Sequence, residues 1–139
     1  MFGLCANIDE IKNAAPGIPI IEDAACAAGA TYKGQSAGSL GIAAAFSFHP
    51  RKSITTGEGG MVTTNHPELA ERMHKMRNHG AGISEEQRHQ GPKPLPEFNL
   101  LGYNYRMTDL QGAVGIKQLE KLDPFINERQ QWAEFYSFS

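Results

Sequence analysis

Cysteine is scarce in this sequence. Among 139 residues there are two, Cys5 and Cys26, too few for a disulfide scaffold and suited to a reducing cytoplasm where both are free thiols. No apolar run approaches the ~18 residues of a membrane span. The opening MFGLCANIDEIK carries neither a basic leader nor a long apolar stretch, so no signal peptide is read there. No charge sign dominates: 13 Lys and Arg against 15 Asp and Glu leave a net charge of −2. Without a basic stripe, neither nucleic acid nor an acidic membrane surface is the expected partner. His49, His79 and His89 stand at no metal-ligand spacing with cysteines or carboxylates, so no metal is expected. A Walker phosphate loop is missing too, because no Gly-Lys-Ser/Thr ending follows four free positions after a glycine. There is no internal repeat and no low-complexity tract.

What is present is ordinary for a globular chain: 40% apolar and 20% charged residues, in a length that suits one domain. Residues 7–14 read as a short helix with Asn7 as cap and Asp9 and Glu10 in its first turn; Pro16 and Gly17 stop it. IPII (18–21) is a short continuous apolar run, the pattern of a buried parallel strand. The small residues AACAAGA (24–30) permit close approach of a backbone or a flat ligand. A turn-rich stretch (32–41) precedes two further strands, IAAAFSF (42–48), which Pro50 bars from continuing, and GGMVTTN (59–65). The spacing then predicts a helix with Asn65 as cap and Glu68 completing a capping box, with Leu69, Ala70, Met73 and Met76 on one face and Gly80 past its end. Residues 81–102 form a long polar loop. TDLQ (108–111) is a second capping box, opening a helix through about residue 121 in which Leu110, Ala113, Val114 and the Gly112/Gly115 pair suggest close packing. DPFINERQQWAEFY (123–136) restarts a helix with Pro124 in its first turn. Short apolar strands alternating with helices imply an α/β architecture with a mainly parallel sheet, in which ligands bind at strand carboxyl ends.

Asp23, Ser47 and Lys52 fall at or just past such ends. Each has a plain reading beside a chemical one. Asp23 is costly if buried alone; it caps a following helix, binds a metal, or meets a cation or donor. Lys52 lies between an apolar strand and the run ITTGEGG. It is a solvated charge before a turn, or a lysine made nucleophilic by desolvation or neighbouring positive charge. Ser47 and TTGEGG offer hydroxyls and backbone N–H groups of the kind that hold phosphate. Glu58 suits the turn better than the role of a base. His79 at a helix end suits the negative end of the dipole, and GYNYRMTD (102–109) is an anion site or an ordinary helix start.

Taken together, the blocks IIEDAA, FSFHPRKSITTGEGGMVTTN, RNHG and GYNYRMTDLQGAVGIKQL, in this order and spacing, closely resemble the DegT/DnrJ/EryC1/StrS family of sugar aminotransferases, over residues 3 to 136. The resemblance implies pyridoxal 5'-phosphate as cofactor and a partial type I (aspartate aminotransferase-like) large domain. It implies Lys52 as the Schiff-base lysine, Asp23 paired with the pyridine nitrogen and Ser47 on the cofactor phosphate. Asn104 would reach the phosphate from a neighbouring subunit of a homodimer, and Ala25 would lie near the ring face. Cys26 stands where many members carry Gln or His against the ring hydroxyl, and a thiol is a weak donor there. Relatives acting as dehydratases replace the lysine with histidine, which Lys52 argues against.

The implied reaction moves an amino group from a donor such as glutamate to a nucleotide-linked keto-deoxysugar, in cytoplasmic pathways to surface polysaccharides or modified sugars. Family members are much longer. Residues 1–139 are therefore expected to be an incomplete cofactor-binding domain, without the N-terminal part and the small C-terminal domain, marginally stable and weakly active or inactive alone. The alternative is a truncated, non-catalytic remnant.

Overall fold

The structure, a computed structural model, describes residues 3–82 and 98–137. Most of the loop expected over 81–102, and His89, lie outside the described residues. The chain forms two compact units: Met1–Asn65 with Thr108–Ser139, and His66–Met107.

In the first unit, α1 (Ile8–Ala14) begins where Asn7 offers its side chain, whose Oδ1 accepts from Glu10 N at 3.4 Å. Ile8 is the residue α1 buries. Strand β1 is Ile21–Asp23, starting later than the IPII run suggests. Proline at position 19 has no N–H for a ladder, and pairing opens only where Ile42 N donates to Ile20 O at 2.8 Å. A small hairpin follows, β2 (Thr31–Tyr32) and β3 (Gln35–Ser36), inside the stretch read as turn-rich. Its two turn residues, Lys33 (φ 50) and Gly34 (φ 81), are both left-handed, as a tight two-residue hairpin of matching twist requires.

Strand β4 (Ala43–Ser47) pairs parallel with β1, Ile21 against Ala43 and Asp23 against Ala45. Strand β5 (Gly60–Thr63) returns antiparallel on the other side of β4. The order β1-β4-β5 thus combines one parallel and one antiparallel pair. Ala44 at the centre is fully buried, and Ala24, Leu40, Ala43 and Ile54 join it. The closing helices are α3 (Asp109–Leu119) and α4 (Leu122–Ser137). The capping box that opens α3 is formed in both halves, Gln111 N to Thr108 Oγ1 at 3.3 Å and Thr108 N to Gln111 Oε1 at 2.9 Å. The close packing expected along α3 is realised at Gly115, where a Cβ would stand 3.1 Å from Thr56 Cγ2, while Gly112 faces open space and Leu110 is 81% exposed.

The second unit holds α2 (Pro67–Met76). Its N-cap is His66, in extended conformation and without a side-chain cap hydrogen bond, so the box expected from Asn65 and Glu68 does not form. Pro67 is the reason: its fixed φ and missing N–H suit the first helical position, and this moves the start one residue on. At the far end His79 (φ 58) and Gly80 (φ 79) are left-handed, and Gly80 N donates to Lys75 O at 2.9 Å. The NYRM segment then lies against the helix end, with Tyr103 N on Met76 O (2.6 Å), His79 N on Tyr103 O (2.8 Å) and Tyr105 N on Arg77 O (2.9 Å).

Candidate active site

Parallel pairing of β1 and β4 sets two carboxyl ends side by side, β1 closing on Asp23 and β4 on Ser47. Past β1 the chain turns at once. Ala24 N donates to Ala45 O (3.0 Å), Ala25 N to Asp23 Oδ1 (3.1 Å) and Ala27 N to Ala24 O (3.0 Å). Asp23 therefore fastens a turn rather than capping a helix, since the next element after β1 is a strand, and it stays exposed. The neighbouring Glu22, on the opposite side of the strand by the alternation of side chains, accepts three backbone N–H groups. Gly38 N meets Oε2 at 2.8 Å, and Leu40 N and Gly41 N meet Oε1 at 2.7 and 2.8 Å.

Past β4 the chain makes a closed loop over 48–59, joined by Phe48 N to Gly59 O (2.9 Å) and Thr56 N to Phe48 O (3.1 Å). Ser47 Oγ accepts from His49 N at 3.4 Å and still has a proton to donate. Lys52 N donates to His49 O at 2.9 Å, a turn that carries the half-buried Lys52 back toward the loop after β1. Its Nζ lies 3.0 Å from Cys26 Sγ.

The lysine loop is held from several sides. Ile54 and Thr56 are its buried anchors. From α3, Gln118 Oε1 accepts from Thr55 N (3.2 Å) and Gln111 Nε2 donates to Glu58 O (2.9 Å). From α4, Arg129 donates to Ser53 Oγ at 2.9 Å. Glu58 thus fixes the turn through its carbonyl, which also accepts from Thr56 Oγ1 at 2.7 Å. Glu22, Gln118 and Arg129 did not stand out in the sequence, and Gln111 did so only as half of a capping box. A signal was present for two of them: Gln111 and Gln118 are seven apart, two turns of helix, and so share a face.

Lys52 and Cys26 are brought into contact, with Ala25 in the same turn as Cys26 and with Asp23 and Ser47 on neighbouring strand ends. Asn104 belongs to the second unit, exposed and bridged antiparallel to Asn78. Around it Tyr103 and Tyr105 stack with centroids 5.0 Å apart, and Arg106 donates to Asn78 Oδ1 at 2.9 Å. Lys33, then Tyr32, donate to Asp9 and hold its carboxyl below the usual range, and Asp9 raises Lys33 in return. Lys75 lowers Glu71 through their i,i+4 pair.

At this edge of the first unit, then, are a primary amine, a carboxylate and a hydroxyl. That donor set suits a cofactor bearing an aldehyde, a basic ring nitrogen and a phosphate: the amine condenses with an aldehyde, the carboxylate holds a proton on nitrogen, and the hydroxyl donates to phosphate.

Comparison with known proteins agrees with this chemistry. The pattern of the DegT/DnrJ/EryC1/StrS aminotransferase family matches residues 1–139. A GDP-perosamine synthase of Caulobacter vibrioides is 42% identical over 138 residues, 98% of this chain and 35% of the relative. A UDP-4-amino-4,6-dideoxy-N-acetyl-beta-L-altrosamine transaminase of Campylobacter jejuni is 41% identical over 138 residues, 96% of this chain and 34% of the relative. Among solved structures, the E. coli GDP-4-keto-6-deoxy-D-mannose-3-dehydratase with bound hydrated PLP superposes with a TM-score of 0.80 at 30% identity, covering 98% of this chain and 38% of that one. The chain spans about a third of the length of the curated relatives it matches.

Proposed function

The chain belongs to the DegT/DnrJ/EryC1/StrS aminotransferase family, and from that premise we propose that it is the lysine-bearing segment of a pyridoxal-phosphate-dependent sugar aminotransferase. In this reading the acceptor is a nucleotide-linked keto-deoxysugar, as the names of the perosamine synthase and the altrosamine transaminase suggest, and the donor is an amino acid such as glutamate. The observation that carries it is the placement of Lys52, Asp23 and Ser47 at or just beyond the carboxyl ends of one parallel strand pair.

Bound pyridoxal phosphate supplies an aldehyde carbon and a ring that accepts electrons. Lys52 Nζ would be the amine that holds the cofactor by that carbon, and the base that would carry the substrate α-proton. Asp23 keeps a proton on the pyridine nitrogen. Ser47 Oγ donates to phosphate, and Asn104 does so for a neighbouring subunit in the full-length homodimer. Ala25 leaves room for the ring, and Cys26 lines the pocket beside Lys52. An amine at position 52 favours amino transfer over the dehydration named for the E. coli relative. In this reading the protein works in the cytoplasm, which suits the free thiols Cys5 and Cys26; among the described residues no helix is long and apolar enough to cross a membrane.

Borohydride reduction after addition of pyridoxal phosphate, followed by peptide mass mapping, tests the reading. A phosphopyridoxyl group on the Lys52 peptide, lost in Lys52→Ala, is expected. The second reading is a remnant that binds a partner subunit without catalysis. A chain that takes no label at any cofactor concentration would decide for it.

A further inference from the structure

The contact between Lys52 Nζ and Cys26 Sγ, 3.0 Å, joins two nucleophiles from loops that follow adjacent parallel strands. Cys26 is exposed and Lys52 is half-buried, so a small oxidant can meet Cys26 with the amine 3.0 Å from its sulfur. A cysteine oxidised to sulfenic acid condenses with a thiol, or with a nitrogen to form a sulfur–nitrogen bond. Here the side-chain amine of Lys52 stands within contact distance of the sulfur.

We propose that Cys26 and Lys52 form a redox-controlled modification site in which a peroxide closes a sulfur–nitrogen bond between them. In the first step the thiol attacks one peroxide oxygen; the O–O bond breaks, sulfur is oxidised to the sulfenic acid, and hydrogen peroxide is reduced to water. In the second step Lys52 Nζ attacks the sulfur; the S–N bond forms, the S–O bond breaks, and the hydroxyl leaves with a proton from nitrogen as water. Two equivalents of a small thiol reverse it, restoring Cys26 and Lys52 and leaving one small-molecule disulfide. Nitrogen and sulfur are already in contact, so closure asks for no movement of either strand.

The consequence rests on the reading of Lys52 as the cofactor lysine. While its nitrogen is bonded to sulfur it cannot condense with an aldehyde, and the segment cannot be loaded. Oxidation and loading exclude each other at one atom. Cys5, half-buried near the start of the chain, provides a second thiol in the same molecule against which selectivity is measured.

The full chain is treated with hydrogen peroxide, digested without reductant, and mapped by mass spectrometry, with and without later dithiothreitol. The expected product is a cross-linked peptide pair joining Cys26 and Lys52, lighter by two hydrogens than the separate peptides. It should be removed by dithiothreitol, be absent from Lys52→Met, and be lost when oxidation is done in concentrated urea. Borohydride labelling with pyridoxal phosphate is the second readout. The label at Lys52 should fall at least several-fold after peroxide and return after dithiothreitol, while Cys26→Ser keeps its own untreated level. The proposal is overturned if Cys26 oxidises without the cross-link, if the cross-link persists in urea, or if the label falls equally in Cys26→Ser. A cross-link in a chain that takes no label even before peroxide upholds the modification site and removes the cofactor reading, so the two fail separately.

Discussion

Replacing Glu22 by Gln changes one atom in the support beneath the strand that ends in Asp23, and the structure sets the size of the effect. The carboxylate accepts from Gly38 N through Oε2 and from Leu40 N and Gly41 N through Oε1. A glutamine that keeps its oxygen on Leu40 and Gly41 must set an amide NH2 against the Gly38 N–H, donor against donor. Two bonds change from charge-assisted to neutral and one is lost. Hydrogen bonds to charged groups contribute about 1.5–3 kcal/mol each and neutral ones about 0.5–1.5, so two bonds weakened by about 1–1.5 and one lost outright should cost roughly 3–6 kcal/mol of a total near 5–15. Water cannot easily stand in, because Gly41 is packed so closely that a Cβ there would collide with the Ile20 carbonyl. With a urea slope of about 1–3 kcal/mol/M, the unfolding midpoint should fall by about 1 M or more, read by circular dichroism. A fall worth less than ~0.5 kcal/mol would refute the reasoning, because it would mean that solvent replaces the carboxylate at all three amides.

Two further tests address other parts of the first unit. Gln118→Ala removes the acceptor of Thr55 N; the loss of about 1 kcal/mol should speed exchange of the Thr55 amide about five-fold while amides of β4 stay as they were, and an unchanged rate would mean that Gln118 does not hold the lysine loop. Asp9, whose carboxyl Lys33 and Tyr32 keep below its ordinary range, contributes stability that is present above the unfolded carboxylate range and lost as pH falls through the lower folded value. The stability difference between wild type and Asp9→Asn should therefore shrink as pH is lowered from about 7 toward about 2, and a difference constant across that span would count against the pair.

Elements with their own terminal chemistry were the most legible. Asn7 announced α1, and Thr108 with Gln111 announced α3, because a capping side chain acts within three residues of its target. Where two local signals competed, sequence favoured the wrong one: Asn65 with Glu68 matches a capping box, yet Pro67 claims the first helical position and His66 becomes the cap. Strand direction was less accessible. The run after Lys52 read as a strand, but nothing in its periodicity says that it returns antiparallel beside β4. The site divides in the same way. Residues alone left Lys52 between a surface charge and a pocket nucleophile, and family resemblance assigned it a role. The contact with Cys26 was illegible, since it depends on β1 and β4 being neighbours although a hairpin separates them in sequence.

That dependence separates attachment from turnover. What presents Lys52 lies within the first unit: the β1–β4 pair, Ile54 and Thr56 beneath the loop, and Gln111, Gln118 and Arg129 around it. These contacts need no residue beyond this chain, so an aldehyde should find the lysine wherever the unit is folded. Folding itself has less to draw on. Among the described residues of the first unit, half of the buried apolar residues are alanines, whereas Ile21, Leu110, Trp132 and Phe135 are all more than half exposed. At about 25 cal/mol per Å², large apolar side chains left in water forgo much of what a core would contribute. In our reading, covering those faces and choosing a sugar both fall to parts of the relatives' length that this chain does not span. A chain that takes the phosphopyridoxyl label at Lys52 yet turns over no amino sugar is therefore the outcome consistent with the structure, and loss of turnover alone would say nothing against Lys52.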